Sequence, residues 1–277
     1  MTKKIIIANW KMNNSFDEAE IWLQNFSKKL ALIKEDSVQI ILCPSFILLD
    51  HLDGLLMDEE LRRLQKMHGN IDDLSEDELE KKIFNIRQIH LGGQNCHAEK
   101  DGAFTGEISA IMLKDCGCEY VILGHSERRQ HLNESDQLIA KKINAALEVD
   151  LTPILCIGES KELRQNNSYL DFIGKKIENN IPANLEIDNL IIAYEPVWSI
   201  GTGLVPTPQQ IEEVAEFIKS KISINKNIKN FAILYGGSVK KENSAEILAI
   251  KSIDGLLVGS ASLNANEFFE IVKSTSK

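Results

Sequence analysis

The stretch YEPVWSIGTG, residues 194–203, leaves the apolar run LIIA and sets down a carboxylate, a proline, a tryptophan and Gly-Thr-Gly. A carboxylate at the end of a buried strand is costly unless it has a partner or a reaction to serve. Pro196 fixes its own φ and keeps Glu195 out of the helical region. The glycines that follow permit a hinge or the close approach of a ligand. The segment therefore reads as a general base at the root of a moving loop, or, taken alone, as a strand-end carboxylate that caps or salt-bridges. Lys11, in NWK, also follows an apolar run directly, and burial of its charge demands a partner. His125, in GHSE, begins a turn or short helix whose amino terminus disfavours the imidazolium. A neutral ring there can donate a hydrogen bond to a developing oxyanion. Each residue also has an ordinary structural role open to it.

The elements that must position these groups are short and regular. Eight apolar runs occupy 4–8, 38–43, 88–93, 120–124, 152–158, 190–194, 231–235 and 255–259. They are continuously apolar rather than alternating, as parallel strands covered on both faces are. Helical patterns separate them, such as TPQQIEEVAEFIKSKI, with Thr207 as N-cap and Pro208 at the first helical position. Eight β-then-α units predict an α/β fold, a closed (β/α)8 barrel spanning 1–277 as one domain, with a doubly wound open sheet as the alternative. In such a barrel the active site lies at the carboxyl ends of the strands. Asn9, Lys11, His125, Glu195, Ser238 and Gly259 would then share one rim. One segment breaks the rhythm: residues 55–86, acidic and helix-prone, read as a helical hairpin insertion before the third strand. Gly69-Asn70 marks its break, and Ser75 with Glu78 forms a capping-box pattern.

The chain has 277 residues, 43% of them hydrophobic, and a formal net charge of −10. That charge argues against nucleic acid and acidic membranes as partners, though a local pocket can still hold an anion. No apolar run approaches the ~18 residues of a membrane span. The opening MTKKIIIANW is too brief for a signal-peptide core and points to a cytoplasmic protein. Five cysteines, an odd number without C-x-x-C spacing, read as buried free thiols.

Six fragments carry a resemblance. ANWKMN (8–13), GAFTGEIS (102–109), VILGHSERR (121–129), YEPVWSIGTG (194–203), YGGSV (235–239) and LLVGSASL (256–263) together resemble the triosephosphate isomerase family, over nearly the whole chain except the insertion. The resemblance implies a TIM barrel and the interconversion of dihydroxyacetone phosphate and D-glyceraldehyde 3-phosphate, a step of glycolysis and gluconeogenesis. Moving a proton between adjacent carbons needs a base near both and an electrophile for the oxygens. No electrons leave, so no cofactor is needed, and no metal-ligand cluster stands in the sequence.

The family's roles fall on matching positions. Glu195 would be the base, His125 the electrophile and Lys11 the fixed positive charge, with Asn9 donating to a substrate oxygen and Glu127 as the acidic partner of the lysine. Arg128 and Arg129 read as barrel-stabilising ion pairs. Backbone amides of Gly201, Gly237, Ser238, Gly259 and Ser260 would hold the phosphate, as loops after strands seven and eight commonly do. Ser260 stands where the family usually has glycine. The lid would comprise Pro196, Val197, Trp198, Ser199, Ile200, Gly201 and Thr202, closing to exclude water. The resemblance further implies a homodimer in which Gln94, Phe104, Thr105, Gly106 and Glu107 meet the second subunit.

Overall fold

The computed structural model describes residues 3–276 except 31, 34–36, 70, 72–73, 182–184 and 200–203. Eight parallel strands close into a barrel: β1 (Lys4–Asn9), β2 (Val38–Cys43), β3 (Ile89–Gly93), β4 (Cys118–Leu123), β5 (Thr152–Ile157), β6 (Ile187–Tyr194), β7 (Ile228–Tyr235) and β8 (Gly255–Val258). Closure is made where β1 pairs with both β2 and β8. The open-sheet alternative is thereby excluded.

Between strands lie α1 (Phe16–Leu30), α2 (Leu49–His68), α3 (Glu76–Ile86), α4 (Ala110–Asp115), α5 (Ser126–His131), α6 (Asp136–Leu147), α7 (Lys161–Gln165), α8 (Tyr169–Asn180), α9 (Pro208–Ile224) and α10 (Ser244–Leu248), with α11 (Ala265–Lys273) after β8. Caps explain several starts. Thr207 and Gln210 form a reciprocal capping box at α9 with Pro208 just inside it. Ser75 and Glu78 exchange the same pair of bonds ahead of α3.

Strand side chains alternate between two apolar layers, as a period of two requires. Ile7, Ile41, Ile122 and Ile154, all at 0% exposure, point into the lumen with Leu234 and Leu257. Their neighbours Ile6, Ile40, Val121 and Leu155 face the helices. The first and last helices meet there through Phe26 and Phe268, with ring centroids 5.3 Å apart.

Two boundaries differ from the sequence reading. The expected hairpin over 55–86 is not self-contained. Its first helix is the end of a continuous 20-residue α2 that begins at Leu49. Leu49, Leu52 and Leu56 bind that helix to the barrel core, so the barrel's own helix runs on without a break. Beyond this, Leu64, Ile71 and Ile83 form a small satellite core between α2 and α3. Arg87 ties the pair to the barrel, reaching Glu60 (3.1 Å), Asp53 (3.5 Å) and Glu119 (3.5 Å). The second difference is at β6 and β7, which start three residues before the apolar runs do. Asn189 pairs with Asn230 there, where the barrel mouth opens to water and polar side chains meet no penalty.

Candidate active site

Glu195 follows the last residue of β6 and is 2% exposed. Its backbone N–H donates to Ile157 O at 2.8 Å, which anchors it between β5 and β6. The side chain points into the rim: Oε1 lies 3.2 Å from His125 Nε2, and Oε2 accepts the Ser126 N–H at 3.3 Å. Gly236 at the end of β7 keeps this space open, because a Cβ there would stand 2.9 Å from Glu195 Cγ.

His125 is the N-cap of α5, and its Nδ1 accepts the N–H of Glu127 at 3.2 Å. An amide donates and cannot accept, so the ring proton of the neutral imidazole sits on Nε2. That proton faces Glu195. The backbone amide in the first turn of α5 thus sets which tautomer a neutral ring takes.

Lys11 follows β1 in a left-handed conformation, φ 55°, a strained state for a side chain of this size. Two contacts hold it: its N–H donates to Asn9 Oδ1 at 3.1 Å, and its carbonyl accepts from Gln94 Nε2 at 2.8 Å. The ammonium reaches Glu127 Oε1 at 2.6 Å. Burial pushes the Glu127 carboxyl upward, but the Lys11 hydrogen bond and nearby positive charge hold it below the ordinary value. Asn9 is buried beside it.

The loops after β7 and β8 complete the rim. A Cβ on Gly259 would lie 3.5 Å from Lys11 Cε, so the end of β8 and the end of β1 face one space. Ser260 begins a short 3-10 turn and is exposed. The Ser238 hydroxyl donates to the Ser199 carbonyl at 2.6 Å, and Ser199 Oγ stands 3.4 Å from Tyr235 OH. Gly237 is required where it is, since a Cβ would collide with Tyr235 OH and Ser199 Oγ.

Of the sequence-expected loop, Pro196 and the 3-10 turn Val197–Ser199 are placed, while Ile200, Gly201 and Thr202 lie outside the described residues. Trp198 donates from its indole to Glu159 Oε1 at 3.0 Å, and the same oxygen accepts Tyr194 OH at 3.1 Å. Glu159 is fully buried, and that burial raises its carboxyl above the ordinary value. Sequence reading passed over Glu159, although GES after the fifth strand was a visible signal. It also missed the Ser126 amide, which no side-chain pattern could announce.

The segment 101–107, with Phe104, Thr105, Gly106 and Glu107, is exposed throughout. Gln94 is half-buried and donates its amide within its own chain, to the carbonyls of Lys11 and Cys43. Met12, next to Lys11, is 94% exposed, a large apolar surface that the sequence reading did not single out. Arg128 and Arg129 do form the expected ion pairs, with Glu134 and Asp136, each at 2.7 Å. Four of the five cysteines are buried and Cys116 is half-buried, all of them free.

A closed eight-stranded barrel that gathers a carboxylate, an imidazole and an ammonium at its carboxyl-terminal rim defines a TIM-barrel enzyme. The triosephosphate isomerase family model matches residues 4–72 and 71–275. Triosephosphate isomerase of Aquifex aeolicus (strain VF5) is 42% identical over 98% of this chain and 99% of its own. That of Shewanella sp. (strain MR-4) is 38% identical over 98% and 96%. The crystal structure of triosephosphate isomerase from Bartonella henselae superposes with a TM-score of 0.78 at 33% identity, covering 99% of this chain and all of that one. The chain belongs to the triosephosphate isomerase family.

Proposed function

We propose that the chain interconverts dihydroxyacetone phosphate and D-glyceraldehyde 3-phosphate through an enediolate, without a cofactor, as a step of glycolysis and gluconeogenesis. Glu195 takes a proton from one carbon and returns it to the next. His125 donates from Nε2 to the oxygens as they gain charge, and Lys11 supplies a fixed positive field for the phosphate dianion and the enediolate. Asn9 spends its carbonyl oxygen on Lys11 N–H, which leaves its amide hydrogens for a substrate oxygen. Glu127 holds the ammonium in place. Backbone amides of Gly201, Gly237, Ser238, Gly259 and Ser260 bind the phosphate, so the net charge of −10 is no obstacle. The lid, Pro196 through Thr202, excludes water while the enediolate exists.

The observation that carries this reading is the 3.2 Å approach of Glu195 to His125. A base and a proton donor side by side suit a reaction that moves a proton between adjacent atoms. The test is a coupled assay of dihydroxyacetone phosphate conversion beside Glu195→Asp. Shortening the arm by one methylene displaces the base by about 1 Å and should lower turnover about 100-fold with the fold intact. Equal activity in the two proteins would remove Glu195 from the mechanism.

Assembly and setting belong to the same proposal. Phe104, Thr105, Gly106 and Glu107 insert into a second subunit close to its Lys11, giving a cytoplasmic homodimer, and Gln94 supports that contact by bracing the lysine loop. The extension of α2 and the returning α3 are a decoration within one barrel domain.

A further inference from the structure

We infer that the amino-terminal mouth of the barrel is a second binding site, one that takes a small neutral polyhydroxylated molecule of monosaccharide type. A bowl of about 360 Å3 opens there, on the face away from Glu195. That volume lies within the ~300–1,000 Å3 of small-molecule pockets.

The bowl has a structural cause. β6 and β7 are eight residues each, whereas β8 has four. In the register, Ile187, Asn189 and Leu190 have partners on β7 and none on β5. The two strands therefore project past the mouth as an apron. Asn189 and Asn230 are register partners on it, and the next pair on the same face is Ile191 and Ala232, which belong to the lumen. The two amides thus continue the lumen face outward, over an apolar floor that Ile5 shares.

The rest of the wall is amide and hydroxyl. Gln39 donates to Tyr120 OH across the mouth, leaving that hydroxyl a proton to give, and Thr152 adds another. Asn230 commits one amide hydrogen to the Asp188 carbonyl and keeps its acceptor. Asp254 is fixed by the Ile233 N–H at 2.9 Å. Donors and acceptors alternating above an apolar floor match the hydroxyls and C–H faces of a sugar. The two charged lining residues, Lys3 and Asp254, are of opposite sign, so the bowl offers no net charge to an anion. Fully buried Ile7, Ile41, Ile122 and Ile154 seal it from the other rim, so an occupant there does not compete with a ligand at Glu195.

The test titrates the full chain with unphosphorylated hexose, unphosphorylated pentose and inositol by calorimetry and protein-observed NMR. Saturable binding at about 1 mM is expected for one of the three, unchanged in Glu195→Gln. The double variant Asn189→Leu with Asn230→Leu should weaken it at least tenfold. Tyr120→Phe, which removes only a hydroxyl, should weaken it too, and serves if the double variant fails to fold. No saturable binding of any of the three probes would overturn the inference. So would binding lost in Glu195→Gln but kept in the bowl variants.

Discussion

His125 Nε2 stands 3.2 Å from Glu195 Oε1 while His125 Nδ1 is occupied by the N–H of Glu127. The backbone therefore decides which ring nitrogen of a neutral His125 carries the proton, and that nitrogen faces the Glu195 carboxylate. His125→Asn keeps a polar acceptor of similar reach for the Glu127 amide and deletes the Nε2–H donor. Turnover should fall about 100- to 1,000-fold, as loss of one oxyanion donor does elsewhere. Imidazole 15N shifts should show Nδ1 without a proton in the wild-type chain. A protonated Nδ1, or an Asn variant of full activity, would contradict this assignment.

Lys11 is held in a strained conformation by Asn9 and Gln94, with its ammonium on Glu127. Strain maintained by two backbone contacts, with Glu127 fixing the ammonium as well, points to the position of the charge mattering more than its presence. Lys11→Met should abolish most activity. Lys11→Arg keeps the charge yet should not restore it, because a planar guanidinium on a longer stem cannot set its charge where the ammonium meets Glu127 at 2.6 Å. Circular dichroism and the coupled assay separate misfolding from loss of the charge. An active arginine variant would show that any cation suffices.

Most of this site was legible because its residues follow apolar runs that could only be strands. What precedes Glu195, His125 and Lys11 sets them at strand ends, and the resemblance to the triosephosphate isomerase family is what suggests their roles. The barrel was legible for the same reason, since eight continuous apolar runs with helices between admit few arrangements. What was not legible has physical causes. Ser126 acts through a backbone amide, which every residue except proline has. Gln94 braces Lys11 through a carbonyl 83 positions away in sequence, a contact no local pattern records. The early starts of β6 and β7 were hidden by Asp188, Asn189, Lys229 and Asn230, poor strand formers that pair only because the partner strand is already in register. Residue 55 falls inside α2, which runs unbroken from Leu49 through Gly54. Added atoms there would meet nothing, so that stretch of the helix is governed by its other face.

Glu60 gives the fold a pH dependence of unusual sign. It is 3% exposed, and burial raises its carboxyl to about 7 against the pull of Arg87. A folded-state value above the unfolded one means the folded chain binds more protons. That contribution to stability is fully present below the ordinary carboxylate value and is lost as pH rises through about 7. Glu134 and Asp136 have the opposite sign. Burial raises both, but their paired lysine and arginine partners outweigh it, so their contribution is lost as pH falls through the acid range. Melting temperatures from pH 5 to 8 should decline for the wild type toward pH 8, and Glu60→Gln should flatten that limb. A decline unchanged in the variant would place its origin elsewhere.

Two glycines at the rim separate folding from ligand binding. A Cβ at Gly237 would collide with Tyr235 OH and Ser199 Oγ, so Gly237→Ala should destabilise the fold and disturb the Ser199 carbonyl that Ser238 holds. A Cβ at Gly259 would meet only Lys11 Cε at 3.5 Å and Nζ at 3.8 Å, which is ordinary contact. Gly259→Ala should therefore crowd no neighbouring side chain, and its melting temperature separates any cost to the fold from a loss of ligand binding. If phosphate approaches the backbone at Gly259, the added methyl occupies space that only the ligand uses. KM for dihydroxyacetone phosphate should then rise about tenfold, equivalent to about 1.4 kcal/mol of lost binding, while kcat changes less. An unchanged KM in a stable Gly259→Ala would move the phosphate away from the end of β8.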